Sequence, residues 1–217
     1  MKSICLKADV CSVMIVLRNF RVAMIGSRTL HKNPENHKDV ALCYKVCYRF
    51  AELGISFTSG LCGLGMDAIA QRAYSQAVND GKAFLSQFEV YVSRKDDIDK
   101  SRLPNRHLAI IKNPSLKKEL EDLASSLHGN WSNCDSYARG MHHRNCHEIL
   151  GYHLNNPVKA VITWCELDNF GDYVGGSRTA LKLAERYRIP IFNLNTPDKK
   201  KVLAEIHDFL RWHEIVG

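Results

Sequence analysis

The stretch Trp164–Asn195, WCELDNFGDYVGGSRTALKLAERYRIPIFNLN, decides the fold class. An apolar run at Ala160–Trp164 leads into it and predicts a buried strand. A glycine-rich turn at Gly175–Thr179 follows, then an amphipathic helical pattern from Ala180, then a second strand at Ile189–Leu194. A strand, a helix and a strand in this order form one β-α-β unit, which indicates a parallel sheet.

The N-terminal half repeats this alternation of strands and helices. Apolar runs predict strands at Phe20–Ile25, Ile55–Ser59 and Phe88–Val92, and helical patterns cover Lys38–Leu53 and Ala68–Asn79. We therefore predict an α/β fold, a Rossmann-like parallel sheet with helices on both faces. A single domain is expected over residues 20–217, with residues 1–19 as an N-terminal extension. The charged segment Arg94–Pro114 is predicted to be a loop or insertion.

Size and charge place broad limits on function. The chain has 217 residues, 45% of them hydrophobic, and a net charge of +7 with a pI near 9.0. A mildly basic surface suits a polyanionic partner but is equally typical of a solvated surface. The eight cysteines fall mostly inside predicted helices and strands, which favours reduced thiols and a cytoplasmic location. The apolar run Val10–Leu17 is too short to cross a bilayer, so no membrane association is expected.

Three turns that follow predicted strands are candidate phosphate sites. They are Gly26–Arg28, Ser59–Asp67 and Gly175–Thr179. Glycine lets a ligand approach the backbone closely, and the free N–H groups at the start of a helix suit an anion. Carboxyl ends of parallel strands share one edge of the sheet, so we expect the three turns to meet there.

The second turn leaves two interpretations open. Gly63-Leu64-Gly65-Met66-Asp67-Ala68 fits the dinucleotide fingerprint G-x-G-x-x-A, but the next strand does not end in the acidic residue that holds a ribose. No nicotinamide or other cofactor is therefore predicted. Asp67 either stabilises the start of its helix or contacts the ribose or base of a ligand.

Metal-binding and catalytic side chains give weaker patterns. The segment Cys134–His153 is rich in cysteine and histidine, but its spacing matches no compact zinc motif, so no metal site is predicted. Glu166, Asp168 and Asp172 follow a strand and either serve acid–base chemistry or solvate a loop. Which residues, if any, are catalytic stays unknown at this stage.

Several short motifs occur in a recognisable order. They are Ile25-Gly26-Ser27-Arg28, Ser59-Gly60-Leu61-x-Gly63-x-x-Met66-Asp67, Arg144-Asn145 and Gly175-Gly176-x-x-Thr179-Ala180. Over residues 20–195 the chain resembles the DNA-processing protein A family (DprA/Smf), most closely its compact phage-type members. It also resembles the wider superfamily that contains the LOG phosphoribohydrolases. The resemblance implies a Rossmann-like domain that binds nucleotide or nucleic-acid phosphate.

The chain departs from the LOG pattern at the helix entry, P-G-G-x-G-T-x-x-E. Lys182 stands in the place of the catalytic glutamate, Val174 in the place of the proline and Arg178 in the place of a glycine. The resemblance therefore implies phosphate binding without implying the release of a base.

Three functions remain open on this evidence. The leading one is a protein that binds nucleic acid or a nucleotide, and the DprA resemblance favours single-stranded DNA binding or processing. The second is an enzyme on a small nucleotide (an N-glycosidase, deoxyribosyltransferase or phosphohydrolase), and the third is a nucleotide sensor or sponge without turnover. Homo-oligomerisation is left open. The predicted ligand-binding residues are Gly26, Ser27, Arg28, Ser59, Gly60, Gly63, Asp67, Arg144, Asn145, Gly175, Gly176, Ser177 and Thr179.

Overall fold

The computed structural model describes residues 20–94, 106–108 and 114–217. In this part of the chain six strands form one sheet: β1 (Arg21–Gly26), β2 (Ser56–Ser59), β3 (Phe88–Val92), β4 (Arg106–Leu108), β5 (Ala160–Trp164) and β6 (Ile191–Asn193). Their order across the sheet is β4-β3-β2-β1-β5-β6, and every neighbouring pair is parallel.

Helices connect the strands. They are α1 (Thr29–Lys32), α2 (His37–Glu52), α3 (Met66–Asn79), α4 (Pro114–Leu127), α5 (Ser136–Leu150), α6 (Arg178–Arg186) and α7 (Lys199–Trp212). Short 3-10 turns at Pro34–Asn36, Leu85–Gln87 and Trp131–Asn133 complete the described connections.

The core lies on both faces of the sheet because successive strand residues point in opposite directions. Along β1, Val22 and Met24 pack with α2, α3 and α7, whereas Ala23 and Ile25 pack with α4, α5 and α6. The predicted α/β fold with helices on both faces is therefore confirmed.

The strand order reverses between β1 and β5. From β1 the chain builds the sheet outward through β2, β3 and β4, and it then crosses back to place β5 on the other side of β1. Gly26 and Trp164, the last residues of these two strands, are direct partners in the register. A crevice opens beyond the carboxyl ends of two such strands, and open α/β sheets bind their ligands there.

The remaining sequence predictions have mixed outcomes. Gly54, with a φ of +76°, follows the end of α2 as expected of a helix stop.

The prediction that Arg94–Pro114 is only a loop or insertion is wrong, because Arg106–Leu108 pairs with β3 as an edge strand. This is a backbone pairing, and the sequence Arg-His-Leu has no apolar run to signal it. The predicted extension, residues 1–19, lies outside the described residues. No helix among the described residues is both long and apolar enough to span a bilayer.

Candidate functional site

A cleft of about 550 Å³ lies at the carboxyl ends of β1 and β5. Its walls come from the turn after β1, the loop between β2 and α3, the end of β3, the face of α5 and the turn before α6. Of the predicted ligand-binding residues, those that line it are Gly26, Ser27, Arg28, Asp67, Arg144, Asn145, Gly175, Gly176 and Ser177. The structure thus brings the three turns and the Arg144-Asn145 pair to one place.

The turn after β1 is packed tightly against its neighbours. A Cβ on Gly26 would stand 2.6 Å from the Trp164 carbonyl oxygen, so glycine is what lets β1 and β5 approach here. The Ser27 N–H donates to that same oxygen at 2.9 Å. The Ser27 hydroxyl bonds the Thr29 hydroxyl at 2.6 Å and accepts from the Thr29 N–H at 3.2 Å, which starts α1. The exposed Arg28 side chain lies at the rim of the cleft.

The turn between β2 and α3 is filled by the protein itself. A Cβ on Gly60 would stand 2.5 Å from Asp67 Oδ2 and 2.7 Å from Arg144 Cζ. The Ser59 hydroxyl is buried and donates to the Met24 carbonyl at 2.6 Å. Ser59 and Gly60 therefore do not line the cleft. Gly63 also lies outside the lining, although a Cβ there would meet nothing within 4 Å. All three residues are predicted ligand contacts.

Gly65 locks this turn to the turn after β1. Its φ and ψ of +76° and −155° fall in a region that only glycine occupies readily. A Cβ there would stand 2.5 Å from the Ser27 carbonyl oxygen. The Gly65 N–H donates to His31 Nδ1 at 2.9 Å. The two glycines of the dinucleotide fingerprint are thus placed apart from the cleft surface, and β3 ends at Val92 without an acid.

A buried ionic cluster forms the floor of the cleft. Arg144 Nε lies 3.0 Å from Glu148 Oε1, one helical turn further along α5, with Glu148 only 1% exposed. Neither atom makes an aligned hydrogen bond, so the interaction between them is electrostatic. Asp67 on α3 lies beside Gly60 together with the same guanidinium and interacts with it electrostatically. Its Oδ2 accepts from the Cys62 N–H at 3.2 Å. Two carboxyls thus share one arginine away from solvent.

Burial dominates the protonation of this cluster. It raises the pKa of Glu148 to about 8, despite the opposing effect of Arg144. It also raises the pKa of Asp67, although Arg144 again opposes the change. Burial by itself lowers the pKa of Arg144, but the two carboxyls outweigh it and the pKa rises. At neutral pH the floor therefore holds a charged guanidinium and at least one protonated carboxyl.

The turn before α6 is open. Gly175 has a φ of +88°, and added Cβ atoms on Gly175 and Gly176 would meet nothing within 4 Å. Ser177 is the N-cap of α6, yet its side chain makes no capping hydrogen bond and the first turn of the helix has no acidic residue. Asn145 Nδ2 donates to the Gly176 carbonyl at 2.7 Å and thereby holds the turn against α5. Within the first turn of α6, the Arg178 N–H donates to the Gly175 carbonyl at 3.2 Å, and Thr179 and Ala180 are buried. The backbone at the cleft surface is therefore that of Gly176 and Ser177, just before the helix.

The other charged residues of this region pair among themselves. Asp172 lies 2.6 Å from Arg178 and 2.7 Å from Lys182, and hydrogen bonds from these two cations lower its pKa to about 2. Asp168 Oδ1 accepts backbone N–H groups of its own loop. Of the three carboxylates predicted from the sequence, Glu166 alone lines the cleft.

The cysteine- and histidine-rich segment separates into several environments. Cys146 and His147 are buried, and His143 lies 2.9 Å from the Glu121 carboxylate. His142 lines the cleft, and its Nδ1 lies 2.8 Å from the hydroxyl of Thr179, which is itself buried and outside the lining. Burial lowers the pKa of His142 to about 4, so this ring is neutral at physiological pH.

Sequence reasoning missed Glu148 and the side wall of the cleft. Glu148 follows Arg144 by four residues, the spacing of an ion pair on one helix face, and this signal was available. Tyr137 and Met141 on α5 form this wall with Val92 and Ser93 at the end of β3, and the Ser93 hydroxyl donates to Met141 Sδ at 3.1 Å. No sequence pattern marks them, because their position depends on how α5 packs over the sheet.

Comparison with known proteins finds no matching family model, curated protein or solved structure.

Proposed function

We propose that this protein binds a nucleotide, with the phosphate at the open turn before α6 and the rest of the ligand in the cleft. The main support for this proposal is that a glycine turn with free space beside it lines a cleft, and that this cleft lies where the strand order of the sheet reverses. The resemblance to DprA-like proteins supports the same class of ligand.

The backbone supports the proposed position of the phosphate. Gly176 and Ser177 present their N–H groups at the start of α6, where the partial positive charge of the helix favours an anion. No side chain occupies the space beside Gly176. Arg28 and Lys32 are exposed at the rim of the cleft and add positive charge there. Their side chains are flexible, so each can move toward a bound phosphate.

The opposite wall suits a base and a sugar. Tyr137 and Met141 offer an aromatic and apolar surface, with the Arg94 guanidinium over one face of the Tyr137 ring at 4.0 Å from its centre, and Glu166 supplies a carboxyl group. Pockets for small ligands combine mainly apolar walls with a few polar groups in this manner and span roughly 300–1,000 Å³. The cleft volume of about 550 Å³ lies within this range, so we infer a free nucleotide or the terminal nucleotide of a single DNA strand rather than a continuous strand.

A second function, turnover of the nucleotide, is favoured by one observation. Glu148 lines the cleft, is 1% exposed and keeps its proton at neutral pH. A buried carboxylic acid of this kind can donate a proton to a leaving group, as an N-glycosidase requires. If the protein is an enzyme, Glu148→Gln should abolish release of the free base and leave nucleotide binding within about threefold.

Binding can be tested by mass spectrometry of small molecules released from the purified protein, followed by calorimetric titration. Nucleoside 5′-monophosphates should bind at least tenfold more tightly than the matching nucleosides, because the phosphate makes charge-assisted bonds. Equal affinity for the two would contradict the phosphate assignment.

The form of the ligand can be tested by titrating a short oligothymidylate at several salt concentrations. A ligand held by one terminal nucleotide should show a shallow dependence on salt, whereas a strand that runs across the surface should lose affinity steeply, in proportion to the number of phosphates contacted. A steep dependence would support the single-stranded DNA reading. Incubation of the bound nucleotide with the protein then separates turnover from capture, which distinguishes an enzyme from a sensor or sponge.

A further inference from the structure

Three side chains with metal-binding atoms meet beside the cleft: His128, Cys134 and His142. One ligand atom from each lies within 4.8 Å of the other two. We propose that these three side chains bind one Zn²⁺ ion. The proposal concerns a site separate from the phosphate turn and does not depend on the nature of the nucleotide.

The distances approach those of a zinc site. His128 Nδ1 lies 3.7 Å from Cys134 Sγ. Tetrahedral zinc, with bonds of about 2.0–2.3 Å, holds its nitrogen and sulfur ligands roughly 3.3–3.6 Å apart. The His128 and His142 rings have centroids 4.3 Å apart and planes tilted by 53°. Small rotations of these half-buried side chains would bring the three atoms onto one ion.

Thr179 orients one of the three ligands. The Thr179 hydroxyl lies 2.8 Å from His142 Nδ1. When Nδ1 carries the proton and donates to this oxygen, the lone pair of Nε2 is free to bind a metal. Histidines that bind metals commonly donate their second ring N–H to an oxygen in this way. Thr179 is fully inside the protein, so the orientation is held from the core.

The chemistry of the donors selects the metal class. One thiolate and two imidazoles suit Zn²⁺ better than Mg²⁺ or Ca²⁺, which prefer oxygen ligands. Three protein ligands also leave a fourth position for water or for an atom of a ligand. Because His142 lines the nucleotide cleft, an ion here would stand at the cleft wall.

The spacing of these residues explains why the sequence predicted no metal. His128 precedes the segment Cys134–His153, and the other two ligands lie at its start and middle. The loop with the 3-10 turn Trp131–Asn133 folds His128 and Cys134 back over the first half of α5. The site is therefore assembled by tertiary structure rather than by a short repeat.

Metal titration of the full-length reduced protein, first treated with a chelator, tests the proposal. Zn²⁺ should bind with a stoichiometry of one per chain, and Co²⁺ should show a thiolate-to-metal charge-transfer band that Cys134→Ser removes. His128→Ala and His142→Ala should each weaken Zn²⁺ affinity at least tenfold. His207→Ala removes an exposed histidine on α7 and should leave the affinity unchanged.

Circular dichroism and thermal melting establish that each variant is folded before it is titrated. Thr179→Val keeps the shape of the side chain and removes its hydroxyl, so it should weaken Zn²⁺ binding severalfold through His142. No binding of Zn²⁺ in the micromolar range would overturn the proposal. So would binding that is equal in the wild-type protein and in folded His128→Ala, Cys134→Ser and His142→Ala variants, since other cysteines would then hold the ion.

Discussion

Two turns at the cleft are both rich in glycine but have opposite surroundings. In the turn between β2 and α3, Cβ atoms added to Gly60 and Gly65 would collide with protein atoms at 2.5 Å. In the turn before α6, Cβ atoms added to Gly175 and Gly176 would meet nothing within 4 Å. We call the first the closed turn (Ser59–Gly65) and the second the open turn (Gly175–Ser177).

The difference shows what glycine does in each place. In the closed turn it lets the protein approach itself, since Asp67, Arg144 and the Ser27 carbonyl take the space that a side chain would fill. In the open turn that space is left to solvent or a ligand. A glycine motif alone therefore does not indicate a phosphate site. The glycine must also have free space beside it and line the cleft, which holds for Gly176 but not for Gly63 in the closed turn.

The largest expected effect is a difference between the two turns in how much a glycine-to-alanine substitution lowers the free energy of unfolding. Gly65→Ala places a Cβ in a glycine-only backbone region and against a carbonyl oxygen, so it should lower the free energy of unfolding by about 2–5 kcal/mol. Gly175→Ala has only its φ of +88° to overcome and should cost about 1–2 kcal/mol. Urea denaturation measures both. Equal losses would remove the distinction between the turns.

The second prediction tests the ionic cluster beneath the closed turn. Glu148 keeps its proton up to a pKa of about 8 in the folded state but titrates at 4.5 when unfolded. The stability that this group contributes is present below pH 4.5 and is lost as the pH rises to 8. Glu148→Gln should lose this dependence, so its stability relative to the wild type should rise across this window by more than about 1.4 kcal/mol, the equivalent of one pKa unit.

Glu185→Gln is the matched control for this pH series. Glu185 is exposed on α6 and should leave the pH profile unchanged. Parallel profiles for the wild type and Glu148→Gln would mean that Glu148 is ionised in the fold, contrary to the account of the cleft floor.

The smallest expected effect is on nucleotide affinity, when the hydrogen bond that holds the open turn against α5 is removed. Asn145→Ala removes the 2.7 Å hydrogen bond from its amide to the Gly176 carbonyl. One such bond contributes about 0.5–1.5 kcal/mol, so nucleotide affinity should fall roughly three- to tenfold. Calorimetric titration measures the change. Gln76→Ala, which removes an exposed amide hydrogen bond on α3, should have no effect on binding, and a loss shared by both variants would show that Asn145 has no special role.

The predictable part of this molecule is the part with local signals. The apolar run of β5, the helix stop at Gly54 and the strand-turn-helix order each follow from signals within one segment, and all three are confirmed. The strand β4 was missed because its pairing depends on the backbone of β3. The occupancy of the closed turn was also missed, since Arg144 reaches Gly60 only after α5 packs across the sheet.

The most direct test of the central claim is nucleotide binding by Gly176→Val beside Gly63→Val. Neither glycine has a positive φ, and an added Cβ would meet nothing within 4 Å at either position, so both variants should fold with melting temperatures near that of the wild type. Gly176 lines the cleft at the open turn, whereas Gly63 lies outside the cleft lining. Titration of a nucleoside 5′-monophosphate should show at least a tenfold loss of affinity for Gly176→Val and less than a threefold change for Gly63→Val. Unchanged binding by a folded Gly176→Val protein would contradict the assignment of the phosphate to the open turn.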